Sequence, residues 1–242
     1  MKIAPIQVTY INHCGDDLSV VNAARVSFEK ESDWEWVSDT SKDDPDVGYE
    51  HFEPVLSQGD QKLITYLAKH KHFSPFNHAF LSFRIKAPIF VARQLVKHKF
   101  MPWNEVSRRY VDSEPEFFKP EAWRAKADNV KQGSSESEIK EVSFPFVDYG
   151  SYGSFEDYIE ICLANYNNLL TLGVCAEQAR LVLPVTTMTE WIWSGTLGAF
   201  ADMLHLRLDP HSQKESRDVA NMIYEQALPL FPVSLKALLE NK

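Results

Sequence analysis

The stretch Ala79-Phe-Leu-Ser-Phe-Arg-Ile-Lys-Ala87 alternates without a break. Ala79, Leu81, Phe83, Ile85 and Ala87 point one way; Phe80, Ser82, Arg84 and Lys86 point the other. A period of two predicts a strand with one face on a core. Pro88 follows where it suits the first turn of a helix. Ile89 to Lys99 is predicted to be that helix, with Pro102 as its stop. A half-buried strand running into a helix sets the expected class as α+β.

On the N-terminal side, Ile3, Ile6, Val8, Tyr10 and Ile11 mark a first strand. Asp17 to Phe28 carries Leu18, Val21, Ala24 and Phe28 at helical spacing. Gly59-Asp60 opens another helix, with Asp60 as the expected N-cap and Leu63, Ile64 and Leu67 as its buried stripe. On the C-terminal side, residues 111–154 are rich in Pro, Gly, Ser and acids and are expected to be loop, with Gly133 to Ser137 flexible. Phe155 to Leu172 is a strongly amphipathic helix that Gly173 should cap. Shorter helices are expected over Glu177–Leu183, Gly195–Leu208, His211–Leu228 and Val233–Leu239. No repeat and no linker is evident, so residues 1–242 are expected to form one domain, with an acidic insertion near 29–60 and a loop insertion near 125–154.

With 242 residues, 44% hydrophobic and 24% charged, the composition is that of a soluble globular protein. No apolar run reaches the ~20 residues of a membrane span, and the N-terminus lacks the pattern of a signal peptide. Three cysteines, Cys14, Cys162 and Cys175, are widely separated and form no C-x-x-C. Neither a disulfide framework nor a zinc site is expected, and a reducing cytoplasm is the natural compartment. The net charge of −9 argues against a general nucleic-acid binder. Ten acids against two lysines between Glu29 and Glu53 carry −8 of it, so a basic anion site can exist elsewhere.

Such a site is offered by Arg93 to Tyr110, RQLVKHKFMPWNEVSRRY. Arg93, Lys97, His98, Lys99, Arg108 and Arg109 stand there against one acid, Glu105. Clustered cations at a helix end can hold phosphate through charge-assisted hydrogen bonds. Asn104, Glu105 and Ser107 add directional partners, a mixture that suits a nucleotide. The same composition also fits a solvated basic helix end followed by a turn.

The order of residues separates these two. Lys97-His98-Lys99, seven residues, then Ser107 is close to the R-H-R-x7-S signature of the flavin-dependent thymidylate synthases, and Asn104 to Tyr110 matches their N-E-x-S-x-R-Y throughout. Ala23–Phe28, His72–Phe76, Lys86–Gln94, Ala179–Pro184 and Leu206–Gln213 resemble further family blocks in family order. The resemblance covers most of the chain apart from 29–60 and 125–154. It implies a single domain with a small antiparallel sheet packed by helices.

The resemblance also implies a reaction. Deoxyuridine monophosphate (dUMP) would be methylated to thymidylate, with methylenetetrahydrofolate as carbon donor. Reduced FAD would supply hydride and NADPH would reduce the flavin. Arg207 matches the arginine that would stabilise charge on the pyrimidine, so it is the expected catalytic residue. A guanidinium stays protonated and acts through charge, not as a base. Gln94, Lys97, Glu105, Ser107, Arg108, Arg109 and Arg180 match further positions that contact dUMP. Ser27, His72, Ser74, Lys97, His98, Lys99, Glu105 and His211 match positions near FAD, and Asp202 occupies another. A homotetramer with shared active sites is implied, without nucleic acid, membrane or metal.

Ser107 also invites a nucleophile reading, but lacks an obvious His-Asp relay. His70, His72 and His78 could suggest a metal, but no carboxylate or cysteine set accompanies them. Two departures from the family pattern stand out. Lys97 and Lys99 replace arginines and lose the bidentate fork. Thr196-Leu197-Gly198 and Asp202 stand where an Asn-x-Arg and a later Asn are usual, and Pro102 replaces a serine. A changed or weaker flavin site is expected. Two rivals remain: a nucleic-acid module stacking bases on Phe100, Trp103 and Tyr110, and a relative that binds nucleotide without catalysis.

Overall fold

The computed structural model describes residues 1–38, 52–127, 134–145 and 152–241. In chain order its longer elements are β1 (Gln7–Cys14), α1 (Asp17–Arg25), α2 (Gln58–Lys69), β2 (Phe80–Pro88), α3 (Ile89–Leu95) and β3 (Trp103–Glu105). They continue with α4 (Phe155–Thr171), β4 (Met188–Thr196), α5 (Leu197–Arg207), α6 (Lys214–Ala227) and α7 (Ser234–Glu240). The expected α+β class holds. A four-stranded sheet runs β1-β2-β4-β3, with β3 and β4 antiparallel. On β2, Leu81, Phe83, Ile85 and Ala87 are all fully buried, as the alternation requires.

The chain forms two compact units, each assembled from separated segments. The first comprises Met1–Ile11, Phe83–Ser194 and Leu206–Ile223. One of its cores gathers Phe117, Phe155, Ile159, Leu163, Tyr166 and Ala179. Ser154 and Asp157 close a capping box at the start of α4, and Gly173 at φ +84° turns the chain out of it. The second unit comprises Asn12–Ser82, Gly195–His205 and Tyr224–Lys242. There Asp17 is buried and accepts from the backbone N–H groups of Val233 and Ser234 at 2.8 and 2.9 Å. One carboxylate at the start of α1 thus caps α7, and burial pushes its carboxyl up from the usual range.

Several expectations change in detail. The cap of α2 is Ser57, whose Oγ accepts from Asp60 N, so Asp60 lies inside the helix. Its carboxylate takes Arg25 Nε at 2.9 Å and Ser32 Oγ at 3.0 Å. Asp17 to Phe28 is not one α-helix: it tightens to 3-10 geometry from Val26, and Phe28 is exposed rather than buried. Within the acidic insertion, expected from its composition to be loop, Glu35–Ser38 pairs antiparallel with Phe52–Val55; residues 39–51 lie outside the described ones. Ser134–Ile139, expected within a flexible loop, forms a strand against Trp123–Lys126; Gly133 lies outside the described residues.

The first helix after β2 includes Arg93 but ends at Leu95, before Lys97, His98 and Lys99. Lys97, His98 and Lys99 therefore sit in the turn that follows, not on a helical face shared with Arg93. Phe100 adopts φ +63°, a left-handed conformation that reverses the chain, and β3 begins soon after. The stop is thus set before Pro102. Strand β4 had no counterpart in the sequence reading. Among the described residues, no helix is long and apolar enough to cross a membrane, and no three His, Cys, Asp or Glu side chains cluster to hold a metal ion.

Candidate active site

In the first unit, Arg207 at the end of α5 meets the turn after α3. Its Nε donates to His98 Nε2 at 3.1 Å, and Nη2 donates to the Gln94 carbonyl at 3.1 Å. A histidine nitrogen that accepts is unprotonated, so the partner of Arg207 is neutral imidazole. Arg207 is half-buried, and burial lowers its guanidinium below the ordinary range. It remains the cation of this cluster at neutral pH.

The side chain of Gln94 is itself held. Its Nε2 donates to Gln213 Oε1, and its Oε1 accepts from Ser216 Oγ at 3.1 Å. Ser216 is fully buried at the start of α6. Beside it, Glu215 takes both Nη2 contacts of Arg124, at 2.8 and 3.0 Å. The sequence reading missed Gln213 as a site residue and missed Ser216 altogether. Gln213 stood in a matching block, but nothing in its spacing announced a partner 119 positions away.

A second group forms around β3. Val106 N donates to the Glu190 carbonyl at 2.9 Å, so the chain stays paired with β4 as it leaves the strand. Glu105 accepts from Trp103 Nε1 at 2.9 Å and from Thr189 Oγ1 at 2.7 Å. Arg108 and Arg180 join Glu105 in lining a cavity of about 450 Å³, together with Lys86, Thr187 and Thr189. Arg108 donates to the Ser113 carbonyl at 2.9 Å and Arg180 to the Glu177 carbonyl at 3.2 Å. Among the described residues no carboxylate forms an ion pair with either guanidinium, although Glu114, Glu116 and Glu190 also line the cavity. The cavity draws these residues from one chain, and its size suits a mononucleotide.

Arg109 is exposed, with its Nε 3.0 Å from Ser107 Oγ and its guanidinium 5.0 Å from the Tyr110 ring centroid. Among the described residues no hydrogen bond joins Ser107 to a histidine, so the geometry offers no relay for a nucleophile. Lys97 and Lys99 are exposed cations whose chemistry suits a pyrophosphate. His211 is exposed, its Nδ1 2.9 Å from Asp209 Oδ1.

Ser27, His72, Ser74 and Asp202 belong to the second unit and are all exposed. Their hydroxyls, imidazole and carboxylate are free of burial and suit directional contacts to a cofactor more than charge neutralisation. In the same unit Thr196 Oγ1 donates to Asn77 Oδ1 at 2.8 Å. A Cβ added at Gly198 would lie 2.7 Å from that same Oδ1. Asn77 thus occupies the space beside the position where the family pattern has an arginine.

The sequence model of the family described as thymidylate synthase complementing protein matches residues 9–233. A flavin-dependent thymidylate synthase of Thermosipho melanesiensis is 35% identical over 209 residues, covering 85% of this chain and 78% of the relative. One from Thermus thermophilus is 34% identical over 237 residues, covering 97% and 76%. Among solved structures, the UMP/dUMP methylase PolB from Streptomyces cacaoi, bound with 5-Br dUMP, superposes with a TM-score of 0.71 at 28% identity, over 98% of this chain and 96% of that one.

Proposed function

The chain belongs to the flavin-dependent thymidylate synthase family, and from that membership we propose how its residues carry the reaction. The reaction is reductive methylation of dUMP to thymidylate, with methylenetetrahydrofolate as carbon donor and NADPH as reductant. The cofactor is FAD, which when bound and reduced supplies the hydride.

The observation that carries the reading is the cavity in which Glu105, Arg108 and Arg180 converge. The two guanidiniums take the phosphate of dUMP, and Arg109 and Lys97 add charge at its approach. Glu105 is an acceptor-only group when ionised, so it takes a donor of the sugar or the base. Gln94, clamped by Gln213 and Ser216, acts through its main-chain carbonyl by fixing Arg207. Arg207 places positive charge at the pyrimidine edge. Uracil C5 becomes nucleophilic only as negative charge builds in the ring, and a fixed cation there lowers the barrier. Ser107 binds substrate through its hydroxyl and does not attack it.

For FAD, the residues proposed as contacts are Lys97, His98, Lys99, Glu105, His211, Ser27, His72, Ser74 and Asp202, each on its place in the family pattern alone. Two lysines in place of arginines, and glycine in place of a third, make this a weaker flavin site than the family pattern offers. We read the protein as one functional domain, a cytoplasmic homotetramer whose three free cysteines need no oxidising compartment. The test is thymidylate formation by purified protein, with FAD, NADPH and folate each omitted in turn. Product that requires all three supports the proposal; product formed without FAD and NADPH contradicts it.

A further inference from the structure

Glu105 holds one wall of the cavity, yet it is an exposed side chain on a strand of only three residues. An exposed glutamate ordinarily samples several rotamers. Here each carboxylate oxygen has its own donor. Oε2 accepts from the Trp103 indole N–H at 2.9 Å, and Oε1 accepts from the Thr189 hydroxyl at 2.7 Å.

Neither donor is free to wander. Trp103 and Glu105 are two residues apart on β3, so both face the same side. Across the ladder Trp191 stands opposite Glu105 and Trp193 opposite Trp103. The Trp103 ring lies stacked on the diagonal neighbour Trp191, with centroids 4.3 Å apart and planes at 18°. It meets Trp193 edge-on at 5.6 Å. Both partner rings are buried. The stack leaves the indole N–H aimed along the strand at Glu105. Thr189 lies on the same face of β4, buried, and its hydroxyl reaches the other oxygen.

We propose that Trp103 and Thr189 are positioning residues, which together fix the plane of the Glu105 carboxylate so that its remaining lone pairs face the nucleotide in the cavity. This deepens the function proposed above and rests on it. Preorganising an acceptor removes the ordering cost that a bound nucleotide would otherwise bear. The arrangement is built by three tryptophans and a threonine; Thr189 also lines the cavity, and the tryptophans are not among its lining residues.

The test measures the dissociation constant of dUMP by calorimetry on FAD-loaded protein. Trp103→Phe keeps the stack and removes the N–H; Thr189→Val keeps the volume and removes the hydroxyl; Thr189→Ser keeps the donor. We expect Trp103→Phe and Thr189→Val each to weaken binding by about tenfold, the scale of one hydrogen bond to a charged group, and Thr189→Ser to restore most of the loss. In a Glu105→Ala background both substitutions should have no further effect, because their action runs through that carboxylate. Equal effects with and without Glu105 would show a merely structural role and overturn the inference. So would wild-type affinity in Thr189→Val, a variant that tests the idea even where Trp103→Phe fails to fold. Failure of the wild-type protein to bind dUMP at all would instead overturn the functional reading.

Discussion

Arg207 and His98 lie 3.1 Å apart, Nε to Nε2, with the imidazole as acceptor. A carboxylate in that place would neutralise the guanidinium. A neutral ring orients it and leaves its charge available to the substrate. Removing the cation by Arg207→Ala should therefore lower turnover by about 10²–10³-fold, the usual loss for one charge-stabilising donor, with the fold intact. Arg207→Lys should recover part of that loss. Steady-state rates compared with melting curves check both.

Arg180 lines the cavity without an ion-pair partner among the described residues. Arg180→Ala should weaken dUMP binding by about ten- to a hundredfold, as expected for a charge-assisted phosphate contact, with a shallower salt dependence. Calorimetry at two ionic strengths measures both. Deoxyuridine, which lacks the phosphate, should bind the variant and the wild type alike.

Gly198 and Asn77 are coupled sterically. Gly198→Ala alone must displace Asn77 and break its bond with Thr196, which costs about 1 kcal/mol and cancels a similar gain in helix propensity. In an Asn77→Ala background the same change should stabilise by about 1 kcal/mol. Restoring the family arginine as Gly198→Arg should tighten FAD binding only together with Asn77→Ala. Chemical denaturation and flavin titration across the four combinations show whether the two sites interact.

Asp60 is almost fully buried against Arg25. Burial alone would raise its carboxyl, but the hydrogen bonds from Arg25, Ser57 and Ser32 outweigh it and hold the group below the usual range. A carboxylate depressed in the folded state stabilises above its unfolded pKa of about 3.9, and that stability is lost as pH falls through the lower folded value. Asp60→Ala should cost roughly 3 kcal/mol at pH 7, because it leaves Arg25 unpaired. The gap between variant and wild type should narrow only below about pH 4. Urea unfolding at pH 7 and pH 3.5 measures it.

The sequence was most legible where one period dominates. β2 and α4 follow directly from the alternation of Leu81, Phe83 and Ile85 and from the stripe of Phe155, Ile159 and Tyr166. β4 escaped because Ile192 sits among its polar-facing residues and dilutes the alternation of Trp191 and Trp193. α3 was overextended because the lysines after it are good helix formers, and only Phe100 in the left-handed region shows where the chain turns. The expected site residues Glu105, Arg108 and Arg180 meet in one cavity, and Gln94, His98 and Arg207 in one cluster. Their supports, Thr189 and Ser216, are not legible in sequence. Each reaches its partner across 84 and 122 positions, a distance that local pattern does not encode.

The most direct test of the central claim is release of tritium from C5 of labelled dUMP by purified protein with FAD, NADPH and methylenetetrahydrofolate. The account predicts release that depends on FAD and is lost in Arg207→Ala. Release unaffected by Arg207→Ala, or no release from a protein that binds both dUMP and flavin, would contradict it.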